Sequence, residues 1–187
     1  MNAQNITITS SAPSGAFLGG PTFLPTATAT SGLSVTFSIG SSSSLICSLG
    51  AGNIVSFIGS GPCVINANQN GNSVFNAAPQ QSLSFFVGKG NQVVNFTSVA
   101  PSNAVVVGAP YIVSATSSAG LSVSFSVPAV ASSFCSVSGS TVTFQASGTC
   151  VVQADQEGSS NYNAATSISQ SFAGRTRIFF FFKKKKC

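Results

Sequence analysis

Leu33-Ser34-Val35-Thr36-Phe37-Ser38-Ile39 and Leu121-Ser122-Val123-Ser124-Phe125-Ser126-Val127 are two copies of one alternating stretch. A period of two places Leu33, Val35, Phe37 and Ile39 on one face of a strand and Ser34, Thr36 and Ser38 on the other. That is a strand with a core side and a wet side. Copies 88 positions apart point to a tandem repeat of the whole chain.

Outward from these copies, residues 5–88 align with residues 91–174. Ala12-Pro13-Ser14 matches Ala100-Pro101-Ser102, Cys47-Ser48 matches Cys135-Ser136, and Asn76-Ala77-Ala78 matches Asn163-Ala164-Ala165. Asn66-Ala67-Asn68-Gln69 corresponds to Gln153-Ala154-Asp155-Gln156, and Gly88-Lys89-Gly90 is a short flexible junction. The expected organisation is module 1 over residues 1–88, module 2 over 91–174, and an irregular basic and aromatic tail over 175–187. In the second copy, strands are expected near Gln92–Ser98, Tyr111–Thr116, Leu121–Val127, Phe134–Val137, Thr141–Ala146, Cys150–Asp155 and Ile168–Phe172. Turn formers such as Ser118-Ala119-Gly120 and Ser138-Gly139-Ser140 separate them. Seven short strands per copy predict an all-β chain of antiparallel sandwiches, with no substantial helix and a loop over Ser41–Ser44.

The 43% apolar content is enough for packed cores, whereas the 5% charged content is far below that of an ordinary soluble domain. The net charge of +5 comes from the tail: residues 175–187 carry +6 and residues 1–174 carry −1. From residue 1 to 174 the charged side chains are Lys89, Asp155 and Glu157; Arg175, Arg177 and Lys183 to Lys186 follow. A nearly neutral body has no basic face for a phosphate backbone, which argues against nucleic-acid binding. Met1-Asn2-Ala3-Gln4-Asn5 has neither a basic n-region nor an apolar h-region, and no apolar run is long enough for a membrane span. The expectation is either a cytosolic protein or a piece of a longer exported chain. In the tail, Ile178 and four Phe precede four Lys and Cys187. One reading is an anchor to an anionic membrane surface or cell wall. The other is a translated T-run and A-run that is not a native element, and on that reading the tail is excluded from the fold.

Cys47 and Cys63 are 16 apart, Cys135 and Cys150 are 15 apart, and each pair occupies the same place in its copy. Cys63, Ile65 and Ala67 share a strand face, as do Cys150, Val152 and Ala154; Val55 and Phe57, or Val142 and Phe144, face the same core. Buried cysteines on nearby strands could meet at the Cα separation of about 5.5–6 Å that a disulfide requires. Four body cysteines allow three pairings. Pairing within each repeat, Cys47–Cys63 and Cys135–Cys150, is favoured because each module would complete it alone. The alternative is four reduced cysteines acting as small buried hydrophobes. Zinc is disfavoured, since there is no Cys-x-x-Cys and no His. Disulfides would imply an oxidising compartment.

In order, the second copy reads Asn91–Ser98, Ala-Pro-Ser, Gly-x-Pro, Gly-Leu-Ser-Val-Ser-Phe-Ser-Val, Cys-Ser-Val-Ser-Gly-Ser-Thr-Val-Thr-Phe, Gly-Thr-Cys, Gln156 and Asn161-Tyr162-Asn163-Ala164-Ala165. This resembles the bacterial immunoglobulin-like repeats found in tandem in large secreted and cell-surface proteins. The resemblance covers both copies, residues 5–174. It implies two immunoglobulin-like modules, an extracellular or cell-surface location, and neighbouring modules of a longer chain as partners. The chain lacks Trp, and its cysteines are close in sequence, unlike the long-range inter-sheet bond of antibody domains. Phe75 stands where the second copy has Tyr162, so the ring is read as a plug after a turn rather than a ligand contact.

Catalytic chemistry has little to work with. Without His, no His-based triad or metal site can form. Asp155 and Glu157 lie two apart in one strand-to-turn segment, opposite Asn68 and Asn70. They would supply only part of a Ca²⁺ shell and do not flank a cleft as glycosidase acids do. Asn5-Ile6-Thr7 and Asn95-Phe96-Thr97 match the glycosylation pattern but fall in first strands. Lys89, the body's lysine, is poorly placed in the junction for an isopeptide bond. The sequence therefore indicates a non-catalytic structural spacer or stalk, with no metal and no cofactor. The rival is an adhesive module, binding surface glycan or a host protein through loops that differ between the copies. Those loops are Gly40–Leu45 versus Pro128–Ser133, and Asn70–Ser73 versus Glu157–Ser160.

Overall fold

The computed structural model describes residues 1–176. The chain divides into two compact units, Met1–Asn91 with Ser159–Asn163, and Gln92–Gly158 with the chain from Ala164 onward. Both are all-β, and no α-helix occurs among the described residues. The anchoring role considered for the tail, and Cys187, lie outside the described residues.

Unit 1 contains β1 (Ile6–Ile8), β2 (Ala27–Ala29), β3 (Thr36–Ile39), β4 (Cys47–Leu49), β5 (Val55–Phe57), β6 (Gly61–Asn68) and β7 (Gln81–Val87). One layer is the antiparallel sheet β3-β6-β7. Facing it is the β4-β5 hairpin, which Phe23 extends by bridging to Val55. Cys47, Val55 and Phe57 from the hairpin meet Cys63, Ile65 and Val87 from the sheet in one core. The alternating stretch folds as its period requires. Leu33, Val35, Phe37 and Ile39 are half-buried, and Ser34, Thr36 and Ser38 are exposed.

Unit 2 contains β8 (Val94–Phe96), β9 (Ala104–Val105), β10 (Tyr111–Ile112), β11 (Ala115–Ser117), β12 (Ser124–Ser126), β13 (Cys135–Ser138), β14 (Thr141–Phe144), β15 (Gly148–Asp155) and β16 (Ile168–Arg175). The sheet β12-β15-β16-β9 faces the sheet β10-β14-β13. Cys135, Val142 and Phe144 from one layer pack on Cys150, Val152 and Phe172 from the other. Each unit is thus an immunoglobulin-like β-sandwich, with its core between two mainly antiparallel layers.

The structure departs from the sequence expectation in several places. The strand expected over Leu121–Val127 pairs only over Ser124–Ser126, as its first copy does over Thr36–Ile39. The strand expected over Tyr111–Thr116 is two. Tyr111–Ile112 pairs with β14 and Ala115–Ser117 pairs with β8, with Val113 buried where the chain changes partner. Alternation shows which side chains turn inward but not which neighbour supplies the ladder. β9 is too short for periodicity to reveal, and it runs parallel to β16. β16 continues to Arg175, three residues past the expected end, because the Arg175 carbonyl accepts from the Val106 N–H. Ser41–Ser43, expected as plain loop, is a 3₁₀ turn, as is its counterpart Ala129–Ala131.

Among the described residues two non-glycine positions are left-handed, Asn53 and Val107; Asn tolerates this region, whereas a β-branched residue is strained there. Val107 has φ of 55° and is 89% exposed. Its N–H reaches the Phe144 carbonyl just as the N–H of Gly19, at φ 73°, reaches Phe57. The left-handed region costs an L-residue about 1–2 kcal/mol, more readily met by glycine. We expect Val107→Gly to stabilise unit 2 by about 1 kcal/mol, after the entropy that glycine adds to the unfolded chain. Denaturant unfolding of the full chain measures it, and a destabilised variant would contradict the strain argument.

Candidate functional site

The four body cysteines come together in two pairs. Cys47 and Cys63 have Sγ atoms 2.03 Å and Cα atoms 5.9 Å apart. For Cys135 and Cys150 the distances are 2.02 Å and 5.6 Å. All four are fully buried. Each pair joins β4 to β6, or β13 to β15, and so links the two layers of its sandwich. The short separation in sequence suggested otherwise. It suffices because the hairpin β4-β5, or β13-β14, is followed directly by the central strand of the opposite layer.

Around each pair stands a trio of rings. In unit 1 the Phe85 ring takes Phe23 and Phe57 edge-on, with centroids 5.8 and 5.9 Å away. In unit 2 Phe172 takes Tyr111 and Phe144 at 5.4 and 5.8 Å. Edge-to-face contacts align positive ring edges with negative faces. The Tyr111 hydroxyl meets Ser98 Oγ at 2.6 Å and donates to Gln170 Oε1 at 2.8 Å.

A second constellation escaped sequence reading. Buried Gln4 donates through Nε2 to Gln69 Oε1, and the Gly71 N–H donates to the same oxygen at 2.6 Å. Ser31 Oγ is hydrogen-bonded to Gln4 Oε1. The second unit repeats the arrangement. Gln92 Nε2 is hydrogen-bonded to Gln156 Oε1, which also accepts from the Gly158 N–H at 2.7 Å, and Ser117 Oγ donates to Gln92 Oε1 at 2.6 Å. Buried amides need partners, and here each glutamine supplies the other's. Gln4 and Gln92 occupy matching places in the repeat, which was the available signal.

Asp155, Gln156 and Glu157 line a groove of about 310 Å³ with Ser124, Ala164, Ala165 and Ser167. The Asp155 carboxylate already accepts from Gln153 Nε2 at 2.9 Å, from Ser167 Oγ and from Ser126 Oγ. Those donors, the Ser167 hydroxyl first and then the Gln153 amide, hold its pKa below the ordinary 3.8, against the opposing effect of desolvation. Among the described residues no group of three or more His, Cys, Asp and Glu is placed to hold a metal ion. A lowered carboxylate pKa stabilises the fold fully above the unfolded value, and that contribution is lost as pH falls through the folded one. We expect unit 2 to lose a small increment of stability below about pH 4, and Asp155→Asn to remove it. Acid titration of the melting temperature measures both.

The remaining candidates are dispersed. The 3₁₀ turns of the loops over 40–45 and 128–133 bury Ser43 or Ala131 and expose Leu45 or Val130, both above 80%. Ser43 Oγ donates to the Pro62 carbonyl and accepts from the Val64 N–H. Phe75 and Tyr162 are half-buried after turns closed by Asn72 Oδ1 and Ser159 Oγ. Asn5 and Asn95 both reach solvent. Lys89 Nζ donates to the Ser159 carbonyl rather than facing an amide side chain. A groove of about 410 Å³, absent from the sequence reading, is lined by Asn103, Val105, Val107, Gly108 and Ala109. In the first unit Phe17, the counterpart of Val105, lays its ring against Gly20. No helix among the described residues is long and apolar enough to cross a membrane.

The fold defines a chain of tandem immunoglobulin-like β-sandwiches. No family model matches it, and no curated protein does. Among solved structures it is similar to protocadherin gammaB7 EC3-6, solved as a cis-dimer, at 18% identity and a TM-score of 0.41, covering 94% of this chain and 50% of that one. Drosophila N-cadherin EC1-4 is 14% identical with a TM-score of 0.34, over 95% of this chain and 51% of that chain. Surface layer protein SbsC, domains 1-6, is 13% identical with a TM-score of 0.33, over 93% and 28%. The chain thus spans about half the length, or less, of these three.

Proposed function

We propose that the chain is a non-catalytic spacer segment of a longer bacterial extracellular or cell-surface protein, in which two cross-linked sandwich modules hold neighbouring modules apart. The observation that carries this reading is the cysteine pair in the same inter-sheet position of both units. Oxidised there, each pair would make its module a self-contained unit suited to a compartment without chaperones or reductant. Outward Ser and Thr with few charges give a surface with little to attract a specific partner.

The test is a free-thiol count by alkylation and intact mass on exported protein. One free thiol, at Cys187, with linked peptides Cys47–Cys63 and Cys135–Cys150, supports the spacer reading. Five free thiols overturn its extracellular setting. The adhesive rival gains one specific support, the groove beside strained Val107, since strain concentrates at functional sites. A glycan-array hit abolished by substitutions at Asn103 and Val107 would replace the spacer reading with the adhesive one.

A further inference from the structure

We infer that Asn70-Gly71 is a self-modifying pair, convertible to aspartate or isoaspartate at residue 70, and that Gln69 is the brake on it. Asn70 is exposed, and among the described residues its side chain has no hydrogen bond. Glycine follows, leaving no Cβ to crowd an attack on the Asn70 amide. That glycine is fixed by packing, because φ is +76° and a Cβ would lie 2.4 Å from the Phe75 carbonyl oxygen. The pair therefore cannot be protected by a larger residue at 71.

In the reaction the Gly71 nitrogen gives up its proton to solvent and bonds to Cγ of Asn70. The side-chain nitrogen leaves as ammonia, closing a five-membered imide. Water then opens the imide at either carbonyl, so the balance is one amide and one water to one carboxylate and ammonium. The proton that must leave is the one Gly71 donates to Gln69 Oε1 at 2.6 Å. Gln69 is itself held by buried Gln4, so the acceptor does not swing away. The second unit shows that an acidic side chain is accommodated at this place. Glu157-Gly158 occupies the same turn, with Gly158 at φ +85° and the same bond to Gln156. Conversion gives the first unit an acid where the second already has one, altering the charge of an exposed loop without disturbing the core.

The experiment follows the acid product at residue 70 by peptide mapping, in the full oxidised chain at mildly alkaline pH. A synthetic peptide spanning Gln69–Asn72 and the chain held in denaturant are run alongside. The peptide and the denatured chain should react alike, and the folded chain about tenfold more slowly, the rate equivalent of giving up one well-held hydrogen bond. Gln69→Leu should bring the folded rate toward that of the peptide. A folded chain as fast as the peptide, or a denatured chain that stays unmodified, overturns the inference. Should Gln69→Leu fail to fold, hydrogen exchange at Gly71 in the unaltered chain decides. Protection supports the brake, and free exchange removes it.

Discussion

Replacing Cys47 and Cys63 together with alanine lowers the stability of unit 1 by about 3 kcal/mol under oxidising conditions, the loop-closure contribution of a cross-link over some 15 residues. For a module of this size that is a fall in melting temperature on the order of 15 °C. The same double variant of Cys135 and Cys150 does this to unit 2 and leaves unit 1 unchanged, since each pair lies within one core. Two effects are mixed in such a number. Trading buried sulfur for a methyl group leaves a small cavity whether or not the sulfurs were bonded. Reductant separates them. If the pairs are oxidised, reducing the unaltered chain lowers the melting temperature of both units toward the values in the variants; in each variant the altered unit ignores reductant and the other unit still responds. If the thiols are free, reductant changes nothing anywhere, and the variants show the cavity cost alone. Differential scanning calorimetry with and without reductant on all three chains gives the answer.

How much of this was legible in advance follows from what periodicity encodes. The faces of Leu33–Ile39 and Leu121–Val127 were readable because each strand has one wet side and one dry side. The burial of Cys63, Ile65 and Ala67 on one face of β6 follows from the same period. Cysteine positions were readable because repetition singles them out. Pairing partners were less so. Nothing in Tyr111–Thr116 says that its two ends bond to different strands, and the two residues of β9 carry no period at all. The linkage of two layers by a short cysteine separation depends on a hairpin being followed at once by the opposite layer's central strand. That is topology, which composition does not contain. The glutamine clamps show a different limit. Gln is ordinarily a surface residue, and its burial becomes evident only when Gln4 is seen against Gln69, and Gln92 against Gln156, across more than 60 residues of chain. The candidate site fared likewise. The groove beside Val107 is lined by Val105, which stands where the other repeat has Phe17, a difference between copies whose meaning needs the packing to be seen.

Phe172→Ala should be the most damaging single substitution in unit 2, costing about 3–5 kcal/mol. Its ring is 8% exposed and stands between Tyr111 and Phe144, so truncation removes a buried aromatic and both edge-to-face contacts at once. The cavity cannot close easily. Phe172 lies directly across the ladder from Cys150, whose partner Cys135 is on the opposite layer. Oxidised, that pair would hold the two layers at their spacing and keep them from collapsing into the gap. The cysteine pair and the ring are therefore coupled. Removing Cys135 and Cys150 as well should cost less than the sum of the separate losses, because layers freed of the tether can move together to fill part of the void. A double-mutant cycle on denaturant midpoints measures this coupling, expected near 1 kcal/mol. Strict additivity would mean that the sandwich holds its spacing without the cysteines. Phe85, across from Cys63 in the first unit, also stands between two edge-on aromatic rings and offers the same cycle in a second core. Phe85 is flanked by Phe23 where Phe172 is flanked by hydrogen-bonded Tyr111. The first unit should therefore relax further around its void, and Phe85→Ala should cost less than Phe172→Ala.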